Sequence, residues 1–316
     1  GPVARGKPSI LFGNGFSRAW NNKIFSYENL LGAADFGGRG SDLKRIFDRL
    51  GTFDFEAVMR SLESAQLVLE VYGDGDALIK KIVDDQEALK KALIDVISKT
   101  HPDRPSAVQD DEYRFARMFC SQFFNVFTLN YDLLLHWVRN KSDLNPRVDY
   151  DTDDGFRGVD WLGFGTNQQI YFLHGALHLF DAGRVKKHAS KKSGVAIIDS
   201  VRENLDKGKF PIFVSEPSAD KKKKRIEHNP YLNFCYSALR DQKGDFFVHG
   251  HSFDSNDKHV FDQLKKSDVK NYFVGIFGDE GSEGNQQIKG NARAWLEKPG
   301  TSVTFYDAAT AAIWKK

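Results

Sequence analysis

The chain has 316 residues, of which 41% are hydrophobic and 28% charged, a composition typical of a globular protein with a sizeable core. It has no apolar run long enough to span a membrane and no recognisable signal peptide, so we expect a cytoplasmic protein without a membrane partner. The net charge of +2 is too small to indicate nucleic-acid binding, and two cysteines cannot form a paired-cysteine zinc module.

The first predicted strand, Ser9–Phe12, runs directly into a glycine turn, Gly13-Asn14-Gly15. Glycine lets another group approach the backbone closely, and the N–H groups that open the following helix attract anions. A dinucleotide fingerprint of the G-x-G-x-x-G type would require a third glycine at position 18, where Arg18 stands. The sequence predicts a phosphate-binding turn, with a purely structural turn as the alternative.

Residues 13–125 separate the first predicted strand from the second, whereas a plain crossover between parallel strands needs only about a dozen residues. Two sets of apolar residues within this connection each share one helical face: Phe55, Val58, Leu62, Ala65 and Leu69, then Ile82, Leu89, Leu93, Val96 and Ile97. His101-Pro102 ends the second helix. We predict an inserted helical subdomain over residues 34–120 that covers the mouth of the sheet.

Short runs rich in β-branched and aromatic residues predict the remaining strands: Val126–Leu129, Ile170–Leu173, Pro211–Val214, Asp245–Val248, Tyr272–Ile276 and Ser302–Tyr306. Most of these runs are continuously apolar, which favours a parallel sheet buried on both faces. We therefore predict one α/β domain over residues 1–316, with a mostly parallel sheet and helices on both faces. A smaller insertion, residues 176–210, begins with a hairpin around Asp181-Ala182-Gly183.

Polar side chains follow two of the predicted strands at the edge where α/β sheets bind ligands. Asn130 and Asp132 lie in "FTLNYD", and His174 lies in "YFLHG". An amide can orient a water or a ribose hydroxyl, and a histidine can exchange a proton near neutral pH. The structural alternatives are an Asx-turn at Asn130 and a core histidine at position 174. His178 follows four residues later, but Gly175 argues against the helix that a metal-binding histidine pair would need.

The segment "FFVHGHSFDSNDKH" carries a second polar cluster. His249, His251, Asp254, Asp257 and His259 together invite a metal-site interpretation, but their spacing matches no common ligand pattern. The alternative is a strand, a turn and a helix capped near Asp254 or Ser255, which would form another phosphate-binding turn. We expect no metal.

The basic run Lys221–Arg225 is predicted to lie on a loop. Such a run is most often solvated surface, and it lacks the interleaved aromatic residues that favour nucleic-acid binding. The other interpretations of this run are contact with a phosphate and contact with a partner protein; all three are open.

The motifs G-x-G-F-S, T-x-N-Y-D, L-H-G, F-V-S-E and G-x-S-F follow one another in an order that resembles the sirtuin-like superfamily. The resemblance is strongest to its bacterial branch that hydrolyses NAD without a zinc module, and it implies a Rossmann-like fold. It further implies that NAD phosphates lie along Gly13, Asn14, Gly15, Phe16 and Ser17, and along Gly250, Ser252 and Phe253. It also implies catalytic roles for Asn130 and His174, with Asp132 nearby.

Asn14 and Leu129 depart from the pattern of sirtuins proper, and a protein deacylase is not expected because its peptide cleft adjoins the zinc module. The resemblance implies an NAD glycohydrolase that releases nicotinamide and ADP-ribose or a cyclised product. In this branch such enzymes deplete NAD in bacterial antiviral defence, often as homo-oligomers that await a separate sensor or activator protein.

Three other interpretations are open. The domain binds NAD or ADP-ribose as a sensor without cleaving it. It is a metal-dependent nuclease or phosphoesterase that uses His249, His251 and Asp257. Or it is an interaction module whose basic run recruits a partner.

Overall fold

A computed structural model of the protein describes residues 6–22, 30–53, 55–73, 75–188, 197–214, 216 and 218–315. Ser215 of the F-V-S-E motif and residues 189–196 of the predicted smaller insertion lie outside the described residues.

The strands are β1 (Ser9–Phe12), β2 (Val126–Thr128), β3 (Phe156–Arg157), β4 (Asp160–Trp161), β5 (Ile170–Phe172), β6 (Gly175–Asp181), β7 (Val185–Lys187), β8 (Pro211–Phe213), β9 (Lys243–His249), β10 (Asp268–Ile276) and β11 (Ser302–Asp307). The α-helices are α1 (Gly15–Trp20), α2 (Leu30–Ala33), α3 (Gly40–Leu50), α4 (Phe55–Tyr72), α5 (Asp76–Thr100), α6 (Asp110–Cys120), α7 (Leu134–Asn140), α8 (Ile197–Asp206), α9 (Ala219–His228), α10 (Pro230–Ala238), α11 (Lys258–Leu264) and α12 (Glu283–Leu296).

A six-stranded sheet with the order β11-β10-β9-β1-β2-β5 forms the centre of the fold, and its neighbouring strands all run parallel. Helices flank this sheet, so the predicted Rossmann-like α/β architecture is confirmed. From β1 the chain moves to β2 on one side, whereas from β9 it moves to β10 on the other. Ligands bind at such a reversal of strand order in open α/β sheets, outside the carboxyl ends of the strands.

A second, antiparallel sheet with the order β3-β4-β7-β6-β8 follows the carboxyl end of β5. The predicted hairpin is present as β6 and β7, and the Gly183 N–H donates to Asp181 Oδ1 in its turn. Placing Pro211–Val214 in the parallel sheet was wrong, because β8 pairs antiparallel with β6. A short apolar run reports burial but not the direction of its partner.

The long connection after β1 is helical, as predicted. The predicted face of α5 is buried throughout, and the helix ends at Thr100 with His101 in an extended conformation. The predicted face of α4 is buried only over its first turns, since Ala65 is exposed. Within the part of the chain that the structure describes, none of the helices combines the length and apolar character that crossing a membrane requires.

Candidate functional site

Two glycine turns meet where the strand order reverses. A Cβ atom on Gly13 would lie 2.5 Å from the Gly250 carbonyl oxygen, and one on Gly15 would lie 2.5 Å from Gly250 Cα. Gly250 itself has a φ of +69°, which disfavours any side chain. The glycines after β1 therefore allow the turn after β9 to pack directly against them, which is the structural role that the sequence left as an alternative.

Backbone hydrogen bonds accompany this contact. The Gly13 N–H donates to the His249 carbonyl (2.9 Å), the Gly15 N–H donates to the Gly250 carbonyl (2.8 Å), and the Phe16 N–H donates to the Gly13 carbonyl (3.1 Å). In this conformation three of the N–H groups that we expected to face a phosphate are already paired.

Asn130 is held in place by the first turn. Its Nδ2 donates to the Gly13 carbonyl and to Ser17 Oγ, both at 3.0 Å, and Ser17 Oγ donates to Asp132. Asp132 Oδ1 also accepts from the Leu134 N–H (2.9 Å), as in an Asx-turn before α7. Since the amide nitrogen of Asn130 donates on both sides, its carbonyl oxygen is the part of the side chain suited to accept from a ligand or a water.

Burial raises the pKa of the Asp132 carboxyl, and the hydrogen bonds from Ser17 and Leu134 oppose this shift. The contacts of Asp132 suit it to fix Ser17 and, through Ser17, Asn130.

His174 joins a buried polar cluster. Its Nε2 lies 3.1 Å from His259 Nε2 and 4.0 Å from Asp257 Oδ1. Asp257 Oδ1 accepts from Lys222 Nζ (2.7 Å), and Asp257 Oδ2 accepts from His251 Nε2 (3.2 Å). We call these five residues the His174 cluster.

Burial lowers the pKa of His174 well below its ordinary value; Asp257 opposes this shift and Lys222 adds to it. Burial also lowers the pKa of His259 to about 4. Burial acts to raise the pKa of Asp257, but the hydrogen bond from His251 and the nearby positive charge hold it well below its ordinary value. At neutral pH the cluster therefore contains an ionised Asp257 with a neutral His174 and a neutral His259.

Lys222 is the member of the cluster that the sequence did not indicate. The basic run lies on α9 rather than on a loop, so that expectation was wrong. Lys222 is only 6% exposed, while Lys221 reaches the Gly51 carbonyl (2.7 Å) and Lys223 pairs with Glu227 at the surface. A helix turns one residue of a basic run inward every three to four positions, which was the available signal.

The strand register relates the two parts of the site. Thr128 pairs with Phe172 at the last paired position of β2 and β5, and Asn130 and His174 each follow two residues later in their own segments. Tyr131, which directly follows Asn130, stacks on the His174 ring, with ring centroids 6.3 Å apart. The structure thus brings the two predicted catalytic side chains to neighbouring strand ends.

The other predicted site residues divide between interior and surface. Phe16 packs on Phe12 and Trp314, and Phe253 stacks on Phe261, so both rings lie in the core. Ser252 is exposed and Asn14 is half-buried, so these are the turn residues that face outward. Phe253 has a φ of +51°, an unusual conformation for a bulky residue.

His251, Asp257 and His259 belong to the His174 cluster, whereas His249 and Asp254 have other partners. His249 Nδ1 contacts the Tyr306 hydroxyl (2.9 Å), and Asp254 caps the following turn by accepting from the Asn256 N–H. Among the described residues, no group of three or more side chains is arranged to hold a metal. His178 lies on strand β6 and stacks on His136, away from His174.

A cavity of about 610 Å³ lies at the opposite edge of the sheet, before the amino end of β5. Arg139, Tyr150, Asp153, Arg157 and Gln169 are among its lining residues. It includes none of the predicted site residues.

The fold and these contacts define a Rossmann-like α/β protein with a buried polar site at the carboxyl edge of its parallel sheet. A family model described as Domain of unknown function (DUF4917) matches residues 10–314, so the chain belongs to this family. No curated protein matches the sequence.

Proposed function

We propose that the protein is an NAD glycohydrolase whose site lies between Asn130 and His174. The observation that carries this proposal is the buried polar arrangement at neighbouring strand ends, beside the point where the strand order reverses. Burying ionisable groups costs folding free energy, so such a concentration is more typical of a functional site than of a core. The motif order that resembles zinc-free sirtuin-like NAD hydrolases supports the same choice.

The reaction breaks the bond between ribose C1′ and the nicotinamide nitrogen. The positively charged nicotinamide leaves with the bonding electron pair as a neutral molecule, and the oxygen of a water forms the new bond to C1′. The Asn130 carbonyl oxygen orients this water, and neutral His174 polarises a ribose hydroxyl or takes the released proton. The products are nicotinamide, ADP-ribose and one proton.

The described conformation is closed around both groups, since His174 is 2% exposed and Asn130 9%. We infer that turnover needs a rearrangement that opens the site. The resemblance suggests its source, because the branch acts as homo-oligomers with a sensor or activator partner in antiviral defence.

The same burial favours a second candidate function, binding of NAD or ADP-ribose without cleavage. A sensor needs a pocket that responds to the ligand, but it does not need a histidine able to accept a proton. Binding and turnover must therefore be measured side by side.

The first test follows nicotinamide release from NAD by the purified chain and by Asn130→Ala and His174→Ala. Loss of a group that acts in proton transfer typically lowers the rate by about 10²- to 10⁴-fold, and we expect this for His174→Ala. The matched controls are Asn167→Ala and His228→Ala, which change exposed residues and should leave turnover unchanged.

Turnover that survives His174→Ala would contradict the assignment. Saturable NAD binding without nicotinamide release, also in the oligomeric fraction, would favour the sensor. Cleavage of a phosphodiester that a chelator abolishes would instead favour the metal-dependent alternative.

A further inference from the structure

We propose that His259 and the Asp257–Lys222 ion pair are positioning residues that keep the proton of neutral His174 on Nε2, so that His174 acts through Nδ1. This inference rests on the proposed function for its catalytic consequence, but the position of the proton is a property of the resting protein.

The geometry leaves one proton between the two rings. His174 Nε2 and His259 Nε2 face each other at 3.1 Å, and in a pair of neutral rings one nitrogen donates while the other accepts. The Asp257 carboxylate acts on both rings, but its Oδ1 comes within 4.0 Å of His174 Nε2 and therefore favours an N–H on that nitrogen. His174 then donates to His259, and its Nδ1 keeps a free electron pair.

The rest of the cluster fixes the carboxylate itself. Lys222 Nζ and His251 Nε2 each donate to a different oxygen of Asp257. His251 Nδ1 accepts from the Phe253 N–H (2.8 Å), so His251 carries its own proton on Nε2. Asp257 is thus held at both oxygens and cannot turn away from His174.

This arrangement suits a base that gains a proton only during turnover. When His174 takes a proton at Nδ1, the resulting cation donates from Nε2 to neutral His259 in a charge-assisted hydrogen bond. Asp257 stabilises that cation, while Lys222 keeps the resting cluster from holding an excess negative charge. The other four residues of the His174 cluster are the titratable groups that act on this ring.

Nitrogen-15 NMR of the full chain with labelled histidine tests the proton position without any substrate. We expect His174 to show a protonated Nε2 and an unprotonated Nδ1 at neutral pH, assigned by comparison with His174→Ala. His259→Ala should give a mixture of the two tautomers, and His259→Gln, whose amide oxygen can accept the hydrogen bond, should restore the original state in part.

A charge-neutral double variant separates electrostatics from loss of folding. Asp257→Asn alone leaves the buried Lys222 charge uncompensated, whereas Asp257→Asn with Lys222→Met removes both charges. The matched control is Asp262→Asn with Lys258→Met, which removes an exposed ion pair from α11. Only the first double variant should change the His174 tautomer.

Nicotinamide release supplies the kinetic readout. We expect His259→Ala to lower kcat about 10- to 100-fold, less than the loss of His174 itself, with little change in KM. The acidic limb of the pH profile should shift in the Asp257→Asn, Lys222→Met variant, which a purely structural defect would not produce.

A wild-type His174 with its proton on Nδ1, or a tautomer that none of the cluster variants changes, would overturn the inference. The expected tautomer in a chain that never releases nicotinamide would overturn the proposed function while leaving the proton position established.

Discussion

Gly13 shows how one residue connects distant parts of this chain. Its missing Cβ leaves room for the Gly250 carbonyl, and its own carbonyl accepts from Asn130 Nδ2. The turn that resembles a phosphate loop is therefore also the support of the amide that we place at the reaction centre.

Gly13→Ala is expected to destabilise the protein by about 1–3 kcal/mol, because the new Cβ would overlap the backbone of Gly250 and His251. Gly290→Ala is the matched control: this glycine is exposed within α12 and an added methyl group would meet nothing within 4 Å, so alanine should stabilise by up to about 1 kcal/mol. Urea unfolding of both variants measures the difference. Equal effects would show that the two turns do not pack as described.

The end of helix α5 connects the helical insertion to the site. His101 Nδ1 donates to the Pro102 carbonyl (2.8 Å), and its Nε2 accepts from the Leu133 N–H (3.0 Å), one residue after Asp132. Burial lowers the pKa of His101 to about 4. The neutral ring is therefore the form that the fold requires.

This requirement makes stability depend on pH. The unfolded histidine, with its ordinary pKa near 6.5, binds a proton more readily than the folded one. The contribution of neutral His101 to the free energy of unfolding is therefore complete above pH 6.5 and is lost as the pH falls towards 4. Between pH 7 and 5 the loss from His101 is about 2 kcal/mol.

Urea unfolding at pH 7 and pH 5 measures the free energy of unfolding. Between these pH values it should decrease less for His101→Gln than for the unchanged chain. His228→Gln, which alters an exposed histidine on α9, should retain the full decrease. A decrease that is identical in all three proteins would exclude this role of His101.

At the scale of the whole molecule, the last described residues close the fold over its first helix. Trp314 is 3% exposed, its Nε1 donates to the Phe16 carbonyl (2.7 Å), and its ring lies 5.0 Å from the Phe16 ring. The two ends of the domain thus meet beside the glycine turn.

Trp314→Ala is expected to lower the free energy of unfolding by about 3–5 kcal/mol, because buried aromatic contacts are lost. Trp314→Phe, which keeps an aromatic ring but leaves the Phe16 carbonyl without this donor, should cost about 1–3 kcal/mol. Phe164→Ala is the control, since Phe164 is 92% exposed. Thermal unfolding that ranks the three variants differently would contradict this closure.

The sequence by itself determined the α/β class, the helical insertion and the strand ends at which Asn130 and His174 lie. These features follow from local patterns, since apolar runs and helical periodicity report burial, and a residue just after a strand lies at the sheet edge. The sequence also indicated a helix capped near Asp254 or Ser255; in the structure Asp254 caps the short turn Ser255–Asp257, and α11 follows that turn.

Only the tertiary structure decided which polar groups meet. Lys222 lies on α9, while Asp257 and His259 lie at the start of α11, and nothing in their local sequence shows that they converge on His174. The tertiary structure likewise showed that Gly13 and Gly15 adjoin Gly250, and that β8 joins a second sheet. Contacts between residues far apart in the chain depend on how whole helices and strands pack together, and a local sequence pattern does not determine that packing.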